Sequence, residues 1–269
     1  MIGGGTRLVG LIGDPVAHSL SPRMQNAAFA ARGLDWAYVP LPVGAARLEA
    51  ALAGLGALGF AGANVTVPHK TAVIAYCDAL DEVAERAGSV NTLVVSDGSL
   101  LGSSTDGLAV TEAVDVTGAR VLLLGAGGAA QAVATALLDA GAGSLAVAAR
   151  RGERAEALAA RLRTVAPAAA VEAAGGWPPD PGDASLVVNA TPVRDDPLVD
   201  VAAVGAVVDL AYRPDGRATA LVEAAQAAGC AAVVDGLAVL VRQGAASFER
   251  WTGVEAPLEV MHAAVRPAA

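Results

Sequence analysis

VLLLGAGGAAQAVATAL, residues 121–137, changes character partway along. Val121–Leu124 is a continuous apolar run, the pattern of a strand buried on both faces. Gly125, Ala126, Gly127 and Gly128 interrupt it, and from Ala129 onward the residues favour a helix. Gly125-x-Gly127-x-x-Ala130 therefore leaves a strand and opens a helix, the setting of a dinucleotide-binding turn. The first glycine permits the tight turn, the second lets the backbone approach a pyrophosphate, and the small third residue allows close packing of helix on strand. The first N–H groups of the helix face the phosphates. A glycine pattern alone also serves as a plain strand-to-helix turn; the strand before it and the helix after it favour the cofactor reading.

The end of the next strand separates the two common dinucleotides. An NAD site carries Asp or Glu there, about 20 residues on, to hold the ribose 2′-hydroxyl. This chain has Ala149-Arg150-Arg151, with Arg154 one helical turn later and no carboxylate before Glu153. A guanidinium makes two parallel hydrogen bonds to a phosphate, so these arginines suit the 2′-phosphate of NADP. Read blandly, they are a solvated charge cluster. The cofactor expectation is NADP over NAD.

The same alternation extends outward in both directions. Apolar strands recur at 145–149, 185–189, 206–210 and 231–234, with helices over 106–116, 128–140 and 153–163. Apolar strands separated by helices predict a parallel sheet covered on both faces. Upstream, strands are expected at Leu8–Ile12, Trp36–Leu41 and Gly62–Val67. Helices are expected from Ser21-Pro22, where the serine caps and proline takes the first turn, over Ala45–Leu55, and as short pieces at 69–76 and 80–87. Val90–Val95 and Leu100–Leu101 flank Asp97-Gly98, a hairpin signal. Helices at 236–249 and 256–265 finish the chain. The fold class is α/β, with two domains meeting near residue 105.

Composition narrows the function. The chain has 269 residues, 54% hydrophobic and 17% charged, enough apolar surface for one large or two small cores. A net charge of −9 and 3% aromatics argue against nucleic acid or an anionic membrane as partner. Cys77 and Cys230 lie far apart without a CxxC and read as small buried apolar side chains. His18, His69 and His262 show no metal-ligand spacing, so no metal is expected. The N-terminal MIGGGTRLVGLIG lacks the charged and long apolar regions of a signal peptide. The apolar run 121–138 is better explained by its glycine turn than as a membrane span. The expectation is a soluble cytoplasmic protein.

Polar residues gather in several short motifs. HSLSP (18–22) offers Ser19 and Ser21, and NVTVPHK (64–70) offers Asn64, Thr66 and Lys70 at the end of a strand. SVNTL (89–93) offers Asn91, SSTDG (103–107) offers Thr105 and Asp106, and the final helix region offers Gln243. Singly, each reads as a routine cap or surface residue, and Lys70 with Asp106 as a structural ion pair.

Taken together and in order, GDPVAHSLSP, NVTVPHK, GSVNTL, STDG, GAGGAAQAV, NATP (189–192), VVDLAYRP (207–214), DGL (235–237) and QGAASFERWTG (243–253) resemble the shikimate dehydrogenase family over nearly the whole chain. The resemblance implies a substrate-binding domain over 1–105, rejoined by helices of 240–269, and a Rossmann-like NADP-binding domain over 106–239, with the site in the cleft between them. It implies reversible reduction of 3-dehydroshikimate to shikimate with NADPH. Ser19 and Ser21 are then expected to hold the substrate carboxylate, hydroxyl donors serving an anion without an arginine. Asn64, Thr66, Asn91 and Gln243 are expected on ring hydroxyls, with Tyr212 adding one from the cofactor side. Lys70 and Asp106 become the catalytic pair, Asp106 orienting Lys70 and sharing the reacting hydroxyl. Gly125, Ala126, Gly127, Gly128, Ala129, Arg150, Arg151, Arg154, Asn189, Thr191, Leu210, Gly236 and Val239 fall along the cofactor. His18 and His69 are read as loop supports.

The chain departs from the family pattern at Ser104, where Asn is usual, at Ala149-Arg150-Arg151, where Asn-Arg-Thr is usual, at Val193-Arg194 in place of Gly-Met, and at Val239 in place of Met. These changes touch the cofactor side more than the substrate side. A quinate/shikimate or aminoshikimate paralogue using NAD is the nearest alternative, and a non-catalytic ligand sensor on the same fold the next. Oligomeric state, monomer or homodimer, is left open.

Overall fold

The computed structural model describes residues 2–266. Its contacts divide the chain into two units: the chain up to Thr105 together with the segment from Val241 onward, and Asp106–Leu240. The first begins with β1 (Arg7–Gly13), α1 (Ser21–Ala31), β2 (Trp36–Pro42), α2 (Leu48–Ala57), β3 (Phe60–Val65), β4 (Ala79–Leu80), α3 (Glu82–Ala87), β5 (Thr92–Ser96) and β6 (Ser99–Ser103). The second contains α4 (Asp106–Thr111), β7 (Arg120–Leu124), α5 (Gly128–Asp139), β8 (Ser144–Ala148), α6 (Gly152–Val165), β9 (Ala170–Ala173), β10 (Leu186–Asn189), β11 (Ala206–Asp209), α7 (Ala220–Ala228) and β12 (Ala232–Val234). α8 (Gly236–Thr252) starts in the second unit and ends in the first, where α9 (Leu258–Val265) follows.

In the second unit the sheet order is β12-β11-β10-β7-β8-β9, parallel throughout. Alternate residues of one strand serve opposite faces. Val121 and Leu123 pack with α5 and α6 through Val133, Leu137, Leu158 and Leu162. Leu122 and Leu124 pack on the other side with Leu198, Val201 and Leu221. Burial on both faces is why these strands read as unbroken apolar runs. β7 is central, with β8 on one side and β10 on the other, so the order reverses beside the strand that carries the glycine turn. Such a reversal opens a ligand site at the carboxyl ends of the strands.

The first unit is mixed rather than parallel. Its order is β2-β1-β3-β5-β6-β4, with β1 parallel to β2 and β3, and β5 antiparallel to β3 and β6. The Asp97-Gly98 turn imposes the antiparallel pair: both residues have positive φ, 49° and 82°, and join Ser96 to its partner Ser99 as a two-residue turn. α8 closes one face of this sheet. Val241, Ala245, Phe248 and Trp251 form its buried stripe, and burying Phe248 completely contributes about 3 kcal/mol. Gly62 makes room for this: a Cβ there would lie 2.2 Å from the Leu93 carbonyl oxygen and 2.5 Å from Trp251 Nε1, which donates to that same oxygen at 2.9 Å. α1 meets α8 closely, Gln25 Nε2 donating to the Gly244 carbonyl at 2.8 Å.

Several expectations are corrected. α1 is not capped by Ser21; its N-cap is Leu20, and Ser19 Oγ instead accepts the Ser21 N–H at 3.2 Å. The helix expected over 106–116 stops at Thr111, before the β-branched Val114 and Val116, which lower helix propensity. The piece expected at 69–76 is a 3₁₀ turn over Ala72–Tyr76. β9 and α7 were not anticipated. Cys77 and Cys230 are free thiols that pack against the apolar clusters but are half-buried rather than fully buried.

Candidate active site

In the first unit, the carboxyl ends of β1 and β3 and the start of β5 lie at one end of the sheet. The NVTVPHK turn is anchored there by its backbone. Thr66 N donates to the Ile12 carbonyl at 2.8 Å, His69 N to Thr66 at 2.9 Å, and Val90 N to the Lys70 carbonyl at 2.8 Å. The His69 ring, 1% exposed, places Nε2 2.6 Å from the Val43 carbonyl oxygen and so braces the loop. Thr66 and Lys70 are half-buried, as is Ser19, while Ser21 is buried. A Cβ at Gly13 would lie 2.4 Å from Thr66 Cγ2, so that glycine leaves space for the threonine methyl.

Asn91 ties neighbouring segments together. Its Oδ1 accepts the Thr105 N–H at 2.9 Å and its Nδ2 donates to Thr105 Oγ1 at 2.9 Å; Thr105 Oγ1 donates to the Gln243 carbonyl at 3.0 Å. Thr66, Lys70, Asn91 and Gln243 are thus linked through backbone and side chains around this end of the sheet. Ser104, in place of the usual Asn, buries its hydroxyl without a hydrogen-bond partner.

Asn64 differs from the other expected substrate donors. It is 5% exposed, and its Oδ1 accepts from the Tyr38 hydroxyl at 2.8 Å. Its Nδ2 lies 3.0 Å from the Asn91 carbonyl, 3.0 Å from Ser247 Oγ and 3.2 Å from Thr92 Oγ1. Two hydrogens are shared among three internal acceptors, which leaves none to spare for a ligand. Tyr38, Thr92 and Ser247 are supporting residues that the sequence reading missed, because nothing local in WAYVP or AASFE marks a buried polar partner.

In the second unit, Gly125 follows β7 with φ +117° and donates its N–H to the Ala148 carbonyl at 2.7 Å. Gly127 is the N-cap of α5, and a Cβ there would meet nothing within 4 Å, so its backbone is open to a ligand. Ala130, the third position of the pattern, is fully buried. The chain therefore fits a dinucleotide on structural grounds: an open glycine at a helix N-terminus, with Arg150, Arg151 and Arg154 exposed after the next strand. Asp106 opens α4 and is buried. Gly107 allows α4 to lie close on α5, since a Cβ there would come within 2.5 Å of Ala136 Cβ and 2.7 Å of the Ala132 carbonyl oxygen.

Asn189 and Thr191 follow β10. Asn189 Oδ1 accepts from Thr191 N at 2.9 Å and from Thr191 Oγ1 at 2.7 Å. Leu210 N donates to the Asn189 carbonyl at 2.8 Å, and Leu210 and Tyr212 are half-buried. Gly236 is buried at the start of α8, against the Leu210 and Ala211 carbonyls. Val239 is 4% exposed and packs with the apolar cluster around α5 and α6.

The sequence reading also missed Asp209, which is fully buried. Burial pushes its carboxyl up from 3.8 to about 6; hydrogen bonds from Thr219, Ala211 and Asn189 oppose the shift, and the charge of Asp235 adds to it. Between those values the folded chain binds more protons than the unfolded chain, so this group's contribution to stability falls as pH rises through the window and is flat above it. Asp209→Asn removes that titration. Its stability relative to wild type should rise by about 3 kcal/mol between pH about 4 and about 7, measured by urea unfolding. A difference independent of pH would contradict the shift.

Three domain families match the chain. The shikimate dehydrogenase substrate binding domain covers residues 11–93, shikimate / quinate 5-dehydrogenase covers 107–173, and the shikimate 5′-dehydrogenase C-terminal domain covers 236–266. A shikimate dehydrogenase (NADP(+)) of Rubrobacter xylanophilus is 48% identical over 277 residues, spanning 98% of this chain and 97% of its own. A shikimate dehydrogenase solved in complex with NADP+ is 36% identical with TM-score 0.87, covering 98% of this chain and 96% of that one. A quinate dehydrogenase of Corynebacterium glutamicum, solved in complex with NAD, is 31% identical with TM-score 0.83, covering 96% and 98%.

Proposed function

This chain belongs to the shikimate dehydrogenase family, and from that membership we propose how its residues divide the work of an NADP-dependent oxidoreductase that reversibly reduces 3-dehydroshikimate to shikimate. The observation that carries the reading is near-full-length identity of 48% to a shikimate dehydrogenase (NADP(+)). The quinate enzyme, at 31%, gives the NAD-dependent alternative less support.

The first unit is the substrate domain. Ser19 and Ser21 receive the carboxylate, and Thr66, Asn91 and Gln243 receive ring hydroxyls, with Tyr212 contributing from the second unit. Asn64 is a positioning residue that holds the Asn91 segment. NADPH, when bound, supplies the hydride. Lys70 stabilises the oxygen that gains the carbonyl electron pair and donates a proton to it; in the reverse direction neutral Lys70 accepts that proton. Asp106 is its partner on the same substrate hydroxyl. In the second unit, Gly125–Ala129 receive the pyrophosphate, and Asn189, Thr191, Leu210 and Gly236 line the cofactor. The enzyme works in the cytoplasm as a monomer or homodimer, without nucleic acid.

Arg150, Arg151 and Arg154 take the 2′-phosphate in this reading. Replacing both Arg150 and Arg151 with Ala removes two charge-assisted contacts. KM for NADPH should rise by roughly two orders of magnitude while activity with NADH is unchanged. Equal loss with both cofactors, or none with either, would remove these arginines from the discrimination.

A further inference from the structure

We propose that Asp209 is a positioning residue for the cofactor site, its carboxylate fixing the orientation of the Asn189 amide and thereby the turn on which the glycine loop rests. The inference rests on the reading that the second unit binds NADP.

The connection can be traced atom by atom. β7 and β10 are neighbours, and each ends in a site segment. A Cβ at Gly125 would lie 3.0 Å from the Ala190 carbonyl oxygen and 3.1 Å from its carbon, so the glycine turn is seated directly on the Ala190 peptide. Ala190 sits inside the turn that Asn189 Oδ1 closes by accepting both Thr191 N and Thr191 Oγ1. The other end of that amide donates from Nδ2 to Asp209 Oδ1 at 2.8 Å. Asp209 Oδ1 also accepts the Ala211 N–H at 2.9 Å, and Oδ2 accepts from Thr219 Oγ1, the N-cap of α7.

An ionised carboxylate only accepts. Facing Asp209, the Asn189 amide must present its NH₂ group, which turns its oxygen toward Thr191. Without Asp209 the Nδ2 side keeps only the Val193 carbonyl, at 3.5 Å, so the preference for the orientation that serves the Thr191 N–H weakens. Asn189 and Asp209 are both fully buried, so the alternative of water taking over these bonds is closed. The chain also retains a carboxyl whose charged form is disfavoured by burial, which a neutral residue would avoid. That cost fits a group kept for the direction of its hydrogen bonds.

The test compares Asp209→Ala, Asp209→Ser and Asp209→Asn with wild type by NADPH fluorescence titration and by steady-state kinetics in both substrates. Ala and Ser remove the 2.8 Å carboxylate acceptor and leave Asn189 Nδ2 only the Val193 carbonyl at 3.5 Å. Each should weaken NADPH binding at least about tenfold while KM for 3-dehydroshikimate stays within about twofold. Asn keeps one carbonyl oxygen for Asn189 and Ala211, and can donate to a reversed Thr219 hydroxyl; it should hold NADPH within about threefold of wild type. If Asp209→Ala fails to fold, the Ser variant carries the comparison. Undiminished NADPH affinity in a folded Ala or Ser variant would overturn the inference, as would a parallel loss of both substrates or an Asn variant as weak as Ala. Wild type that binds NADH but not NADPH would instead overturn the NADP reading beneath it.

Discussion

Replacing Lys70 with Ala should lower the rate of NADPH-dependent reduction by about 10²–10⁴-fold, with NADPH affinity unchanged. The size follows from the chemistry. Hydride addition converts a carbonyl oxygen into an alkoxide, and an ammonium at that oxygen both stabilises the charge and supplies the proton. The backbone of the turn has its own anchors in that variant: the Lys70 carbonyl accepts from Val90 N, and the preceding His69 ring lies on the Val43 carbonyl. Lys70→Arg should not restore the rate, because a guanidinium does not give up its proton in this range. A loss under tenfold in Lys70→Ala would take the lysine out of the proton transfer.

Gly236→Ala tests how the second unit seats α8, and two effects of opposite sign compete. Within a helix, alanine is favoured over glycine by about 1 kcal/mol. At this position the added Cβ would lie 2.1 Å from the Ala211 carbonyl oxygen, 2.5 Å from its carbon and 3.0 Å from the Leu210 carbonyl oxygen. These are backbone atoms at the end of β11, which cannot swing aside as a side chain can. The overlap outweighs propensity, and the variant should lose about 3 kcal/mol or more, a fall of roughly 10 °C in melting temperature. Because the displaced carbonyls flank Leu210 and Tyr212, cofactor and substrate kinetics should worsen as well. A melting temperature equal to or above that of wild type would show that the contact relaxes at little cost.

Much of the second unit was legible in the sequence because its strands are buried on both faces. A continuous apolar run followed by Gly125-x-Gly127 and a helix has few other structural explanations, and the arginines after β8 stood where a carboxylate would otherwise be expected. The Asp97-Gly98 turn was legible for a similar reason: an Asp-Gly pair between the apolar runs Val94-Val95 and Leu100-Leu101 signals a hairpin, and both residues have positive φ. β9 was not, since Ala170–Ala173 is a four-residue edge strand of little β propensity whose place is set by pairing with β8. Nor was the cap of α1, where Ser19 and Ser21 are equally plausible by residue type and only the backbone conformation at Leu20 decides. The site divides in the same way. Lys70 and Asp106 stand in recognisable motifs. The groups that orient their neighbours, Tyr38, Thr92, Ser247 and Asp209, are matched to partners up to 183 residues away in the case of Asn64 and Ser247, and no local pattern encodes such pairings.

As a member of its family, this chain reduces the ketone of 3-dehydroshikimate with NADPH. The most direct measurement is NADPH consumption by the purified protein with 3-dehydroshikimate, beside parallel reactions with 3-dehydroquinate and with NADH. Robust turnover is expected with 3-dehydroshikimate and NADPH, and far weaker turnover when either is exchanged. Preference for 3-dehydroquinate with NADH, or tight ligand binding with no hydride transfer from either cofactor, would contradict it.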